Sequence, residues 1–246
     1  MIQIEVCCFS LADCHAAQEA GANRIELCSG LSDGGLTPSA GLIQLVNQQI
    51  SLPVWVMIRP RGGDFVYNEE ELAVMQADIQ LAKQAGVNGL VLGCLNPNGT
   101  VDERITRQLI GLAAPLPVTF HRAFDLTHDP FEGVEAIIRT GAVRILTSGQ
   151  QPTAEAGANL LRALTRQAAG RIEIMAGAGV NAHNAKLLAE TGVDALHLSG
   201  QQRTDSPMQF RSPTVRMASA VQREYDRIGT SEERVSSLIA VLSASA

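Results

Sequence analysis

Four stretches of the chain carry one phrase: Ala20-Gly21-Ala22-Asn23-Arg24-Ile25-Glu26-Leu27, Ala85-Gly86-Val87-Asn88-Gly89-Leu90-Val91-Leu92, Thr140-Gly141-Ala142-Val143-Arg144-Ile145-Leu146-Thr147 and Thr191-Gly192-Val193-Asp194-Ala195-Leu196-His197-Leu198. In each, a helical pattern stops at Gly and a short strand-like run begins. Gly suits the position just past a helix end, because it enters the left-handed region without a Cβ penalty. The four glycines stand 65, 55 and 51 residues apart. That is too long for one strand–helix unit and about right for two.

The intervening strands are short, β-branched runs at 3–7, 54–58, 118–121 and 172–175. Leu52-Pro53-Val54 and Leu116-Pro117-Val118 let Pro enter a strand where no ladder donor is needed. Helix starts fill the gaps: Ser10 with Asp13, Thr37-Pro38, Asn68 with Glu71, and Asp129-Pro130. The acidic run Glu69-Glu70-Glu71 reads as the favourable end of a helix dipole, not as a metal site. Thr230 with Glu233 caps a closing helix over 231–243, and no strand is expected in the last forty residues. Eight strands alternating with helices predict a parallel sheet, and their even spacing predicts closure. The fold class is therefore α/β, a single (β/α)₈ TIM barrel over residues 1–246, with its closing helix at about 230–244. A Rossmann fold is the rival, since Gly177-Ala178-Gly179-Val180-Asn181-Ala182 has dinucleotide-loop spacing. That segment, however, follows the seventh strand, and no acidic residue ends the next one.

Hydrophobic residues make up 46% of the 246, ample for a large core. The net charge is −6 and Lys and Arg form no block, which argues against nucleic acid. No apolar run approaches the ~18 residues of a membrane helix, and residues 1–6 lack the features of a signal peptide. The five cysteines, Cys7, Cys8, Cys14, Cys28 and Cys94, are odd in number and clustered early. They do not read as a secreted disulfide framework; free thiols fit a reducing cytoplasm.

Parallel strands buried on both faces are normally apolar throughout, and these are not. Ile4 and Val6 alternate with Gln3, Glu5 and Cys7; Ile25 and Leu27 alternate with Arg24, Glu26 and Cys28. Val54, Val56 and Ile58 alternate with Trp55, Met57 and Arg59, and Val118 and Phe120 with Thr119 and His121. The seventh and eighth strands set Glu173, His197 and Ser199 against Ile172, Ile174, Leu196 and Leu198. The helices need the aliphatics, so the polar set should point into the barrel. Glu5, Glu26, Arg59, His121, Glu173 and His197 are expected to converge there, Glu paired with Arg and with His, because unpaired buried charges are costly. Such a network could do no more than fix strand register, or its upper layer could form a catalytic floor with shifted pKa values. At the strand ends, Arg59-Pro60-Arg61-Gly62-Gly63-Asp64-Phe65 sets two cations, a Gly pair and an acid in one loop. The loops holding Gly177, Gly179 and Ser199 fall where barrels usually take phosphate, although tight turns alone would also call for those glycines.

These segments resemble the CutC family, named for copper homeostasis, in matching order from Ile4 to about Arg211. The resemblance rests on Glu5-Val6-Cys7, Arg24-Ile25-Glu26-Leu27-Cys28, Gly34-Gly35-Leu36-Thr37-Pro38-Ser39 and Ile58-Arg59-Pro60-Arg61-Gly62-Gly63-Asp64-Phe65. It continues through Pro117-Val118-Thr119-Phe120-His121-Arg122-Ala123-Phe124-Asp125, Leu146-Thr147-Ser148-Gly149, Met175-Ala176-Gly177-Ala178-Gly179-Val180 and Ser206-Pro207-Met208-Gln209-Phe210-Arg211. One departure stands at the eighth strand, where Leu198 separates His197 from Ser199. The resemblance implies a cytoplasmic TIM barrel, usually a homo-oligomer (dimer or tetramer), associated with copper handling and with no well-established reaction.

Copper as Cu(I) is soft and prefers thiolate and thioether. Cys7 and Cys28 end adjacent strands in matching phase, and neighbouring strands lie about 4.8 Å apart. Both sulfurs could therefore reach one ion, with Cys94 or Met57 as a third contact. Cys8 should face the helices and Cys14 lies on the first helix. Against this, lone cysteines often serve as small buried hydrophobes, and there is no C-x-x-C or Met-rich run. The alternative is an enzyme acting on a small anionic or phosphorylated metabolite. Arg59 and Arg61 would clamp the anion, Ser148, Gly177, Gly179 and Ser199 would line its pocket, and His121 with Glu26 or Glu5 would move protons. Asp125 would orient His121 or pair with Arg122.

Overall fold

The computed structural model describes residues 2–215 and 224–244. The parallel strands are β1 (Gln3–Cys8), β2 (Arg24–Leu27), β3 (Val54–Met57), β4 (Gly89–Leu92), β5 (Val118–Phe120), β6 (Arg144–Thr147), β7 (Glu173–Ala176) and β8 (Ala195–Leu198). They pair in sequence order and β8 pairs back onto β1, closing the barrel. The surrounding helices are α1 (Leu11–Glu19), α2 (Ala40–Gln49), α3 (Glu69–Gln84), α4 (Glu103–Ala113), α5 (Pro130–Thr140), α6 (Ala158–Ala168) and α7 (Ala185–Ala189). A last helix, α8 (Glu232–Ser243), packs against α7 and α1 and completes the outer ring.

The repeated phrase does more than end helices. Gly21, Gly86, Gly141 and Gly192 have φ from +79° to +90°, a region costly for any residue with a Cβ. Two residues on, Asn23 donates its N–H to Ile4 O at 2.9 Å and accepts the Ile4 N–H on Oδ1 at 2.8 Å. Asn88 brackets Val54 in the same way, and Asp194 brackets Ile174, at the same distances. Each turn therefore fixes where the neighbouring strand begins. In the third copy Val143 keeps the backbone bond to Val118 O, but its side chain has no acceptor to offer.

Strand alternation sorts the side chains as the pattern predicts. Ile4, Val6, Ile25, Leu27, Val54, Val56 and Ile58 lie in the large core between sheet and helices. Cys7, Cys28, Trp55, Met57 and Val91 form a separate cluster inside the barrel, and Leu146, Met175 and Ala195 form another.

Asn68 and Glu71 form the reciprocal capping box of α3, and Asp129 caps α5 ahead of Pro130. Other starts differ from expectation. Helix α2 begins from Ser39, not Thr37-Pro38, because Thr37 Oγ1 is engaged by the backbone N–H and carbonyl of Arg59. Helix α8 begins from Ser231, since Thr230 ends a strand. At α1, Ser10 accepts the Asp13 N–H, while Asp13 reaches past it to accept the N–H groups of Phe9 (3.0 Å) and Thr230 (2.8 Å). The expectation of no strand in the last forty residues is corrected by β10 (Asp226–Thr230), which pairs antiparallel with β9 (Gln201–Asp205). The sequence Gln-Gln-Arg-Thr-Asp of β9 is wholly polar and largely exposed, so apolar alternation had nothing to report there.

Candidate functional site

At the amino-terminal mouth of the barrel, the Trp55 indole lies 4.4 Å from the Arg24 guanidinium and 5.5 Å from that of Arg144. Arg144 pairs with Glu173 and donates to Gln3 Oε1. Glu173 does not join the central cluster expected of it. It opens β7 rather than ending it, and its side chain is 46% exposed at this mouth.

One layer up, β1, β2 (with Cys28 just beyond it) and β8 bring six side chains together. Buried Glu5 accepts from Arg24 through one carboxylate oxygen and from His197 Nδ1, at 2.7 Å, through the other. His197 Nε2 turns toward Glu26 Oε2, 3.7 Å away. Cys7 Sγ and Cys28 Sγ are 3.8 Å apart, and Cys28 Sγ is 3.5 Å from Glu26 Oε2. Donor atoms of Cys7, Glu26 and His197 all lie within 4.8 Å of one another.

The charges settle by proximity. Burial pushes Glu5 up, but the His197 hydrogen bond and the Arg24 charge outweigh it and hold its carboxyl below the ordinary range. The hydrogen bond with Cys28 brings Cys7 down to about 6, against burial and with help from His197. Burial and then the Cys7 charge push Glu26 well up; burial and then the Cys7 hydrogen bond do the same for Cys28. Burial opposes a charged His197, yet Glu26, Cys7 and Glu5 together raise it well above its usual value. The pocket thus sets two basic groups, Arg24 and His197, among the acidic groups Glu5, Glu26 and Cys7.

Above this layer sit Arg59 and His121. Arg59 is 5% exposed; its guanidinium donates to the carbonyls of Asp33 (2.6 Å), Gly35 (3.1 Å) and Gly63 (2.8 Å) and lies 4.7 Å from the Phe65 ring. His121 fits because residue 93 is Gly, where a Cβ would stand 2.7 Å from its Nδ1. That Nδ1 accepts the Ala123 N–H at 3.2 Å, which places the ring proton on Nε2. Burial, with the Arg59 charge adding to it, depresses His121 to about 3, so the ring is neutral.

Other candidates are engaged elsewhere. Arg61 is bound to Glu71 and Asp64, bracing the loop to the start of α3. Asp125 does not touch His121; it pairs with Arg122 at 2.7 Å and accepts from Thr147, Ser148 and Gln150, fastening the loop after β6. Ser148 donates to Asp125 through its N–H and to Gln151 O through its hydroxyl. The Gly177 amide belongs to the β6–β7 ladder, donating to Thr147 O. Cys94 lies in the core on the helix side, where burial and then Asp102 push it up to about 12, so it is no third contact for the thiol pair. Met57 does lie against Cys7 and Cys28. Gly179 and Ser199 line a groove of about 610 Å³ with Val180, Gly200 and Arg234.

A family model, described as the CutC family, matches residues 2–202. The chain belongs to the CutC family. It is 45% identical over 240 residues to the copper homeostasis protein cutC homolog of Homo sapiens, covering 97% of this chain and 88% of that protein. It is 46% identical over 236 residues to a family protein CutC of Bacteroides thetaiotaomicron, covering 95% of each. A solved structure, a putative copper homeostasis protein CutC from Streptococcus agalactiae, superposes with TM-score 0.77 at 39% identity, covering 81% of this chain and 99% of that one. Thiamine phosphate pyrophosphorylase from Pyrococcus furiosus, 13% identical with TM-score 0.61, shares the fold alone. For this CutC chain, strand alternation places His197 inside the barrel but does not mark it as the link between Glu5 and the thiols. The register shows why it should be: Glu5 stands opposite both Arg24 and His197. Arg234, on α8, had no local signal to mark it.

Proposed function

We propose that this CutC-family chain holds Cu(I) between Cys7 and Cys28 at the floor of the carboxyl-terminal rim. The observation that supports this is the 3.8 Å separation of the two sulfurs, one of them already a thiolate at neutral pH. Taking a metal–thiolate bond of about 2.3 Å, as for zinc, two sulfurs can share an ion while within about 4.6 Å. Met57 adds a soft thioether in the same cluster. The five free thiols suit a reducing compartment, and we place the protein in the cytoplasm. Copper here is cargo, and the neighbouring Glu26 and His197 would take up or release protons as it comes and goes. Anaerobic competition against a Cu(I) chelator tests the reading. The parent is expected to withdraw Cu(I), and the Cys7→Ala, Cys28→Ala double variant is not. A double variant that still binds Cu(I) tightly overturns it.

A second reading, an enzyme acting on a small anionic or phosphorylated metabolite at the same rim, is favoured by the groove between the loops after β7 and β8. It combines Gly179, Ser199 and Gly200 with the Arg234 side chain. Phosphate monoesters should bind the parent more tightly than Arg234→Ala; equal binding defeats this reading. We also propose that the chain assembles as a dimer or tetramer. Met208 and Phe210, 53% and 70% exposed, offer the kind of apolar surface that copies bury against one another. Sedimentation showing only monomer at micromolar concentration would exclude it.

A further inference from the structure

Between the thiol pair and the rim lies a cavity of about 80 Å³, with Cys7 and His197 on its wall and Glu26, Arg59, Phe65 and His121 around them. Three of these residues carry buried side-chain atoms without a hydrogen-bond partner: Glu26 Oε1, Arg59 Nε and His121 Nε2. Native proteins rarely leave such atoms unsatisfied, and each one costs roughly 1–3 kcal/mol. Three on the wall of one cavity point to something that fills it.

The donors identify its chemistry. His121 Nδ1 already accepts from Ala123, so the orphan Nε2 presents an N–H. Arg59 presents a second N–H from a buried cation whose hydrogen bonds go to neutral carbonyls, with the Tyr67 hydroxyl also close to it. Two N–H groups, one of them cationic, call for an oxyanion. Glu26 Oε1 offers an oxygen that can accept from a hydroxyl. Met57, Phe65 and Leu146 give the cavity an apolar side for the carbon chain of the ligand, and Cys7, Gly34, Arg122 and His197 complete the wall. At roughly 10–15 Å³ per water-sized group, the cavity holds about five to eight heavy atoms.

We propose that this cavity binds a short 2-hydroxycarboxylate, its carboxylate held by His121 and Arg59 and its hydroxyl donating to Glu26. Such a ligand satisfies all three orphan atoms and gives Arg59 its missing counter-ion. A tetrahedral phosphate has the charge but no short carbon chain for the Met57–Leu146 wall. The site does not depend on copper, although it adjoins the thiols.

Calorimetric titration of the full, metal-free chain with lactate, propionate and inorganic phosphate tests the proposal. Lactate is expected to bind at least about tenfold more tightly than propionate, which lacks only the hydroxyl, and more tightly than phosphate. In His121→Phe, which keeps a ring but no donor, lactate affinity is expected to fall at least about tenfold. Arg59→Met serves as a second variant should the first fail to fold, with the same expected loss. Lactate binding no better than propionate, or equally to parent and variant, overturns the proposal. Cu(I) uptake is measured on the same His121→Phe protein. Uptake retained with lactate lost separates the two sites, and absence of uptake in both proteins counts against the copper reading alone.

Discussion

Cys7 carries its negative charge because a neighbouring thiol donates to it and an imidazolium stands nearby, an arrangement that can be titrated. Its ordinary value is 9.0 and its folded value about 6. In the window between, the unfolded chain holds the proton and the native chain does not, so stability rises with pH across it. The contribution is complete above 9 and is lost as pH falls through about 6. Ultraviolet thiolate absorbance of the native protein should therefore show a transition near 6 that is missing from Cys7→Ser. A first transition only near the ordinary thiol value would contradict the assigned charges. At this scale the sequence was legible in part. Period-two alternation said that Glu5, Cys7, Glu26, Cys28 and His197 face inward, because facing depends only on strand phase. It could not say that Arg61 is bound to Glu71, Ser148 to Asp125, or Cys94 to the outer core. Those outcomes depend on loop paths, which side-chain periodicity does not encode.

Among the elements, the carboxyl-terminal ribbon is tied to the start of α1 by one buried carboxylate. Asp13, at the start of α1, accepts from Phe9 with one oxygen and from Thr230, the last residue of β10, with the other. Asp13→Ala would orphan two backbone N–H groups at roughly 1–3 kcal/mol each. Urea denaturation is expected to show a loss of a few kcal/mol, with faster amide exchange at Thr230 than elsewhere in the barrel. Unchanged exchange there would mean that the ribbon is held by other contacts. By its spacing from Ser10, Asp13 has the place of the second half of a capping box. Its real partners lie one residue outside the box and 217 residues along the chain, and only the first distance is local enough for a motif to register.

For the molecule as a whole, closure into a barrel was legible because each Gly–x–Asn or Gly–x–Asp turn is repeated at the same place in the architecture. The polar interior was legible too, but its layering was not: Glu173 falls at one mouth and Glu5 at the centre because strand ends stagger around a tilted barrel. The central pairing supports the whole shell. Glu5→Leu would leave Arg24 buried with its carboxylate removed and His197 without its hydrogen-bond partner, a change expected to cost about 3–5 kcal/mol in a urea melt. A loss below about 1 kcal/mol would mean that the interior relaxes around the missing charge. Trp55, the chain's one tryptophan, sits in that same shaft between Arg24 and the thiol cluster, 7% exposed. The protein thus has its one tryptophan sealed inside its barrel and none in the ribbon. Its emission should hold a short wavelength while the ribbon detaches and shift to the red only when the strands part, so light alone can distinguish a loosened tail from an opened barrel.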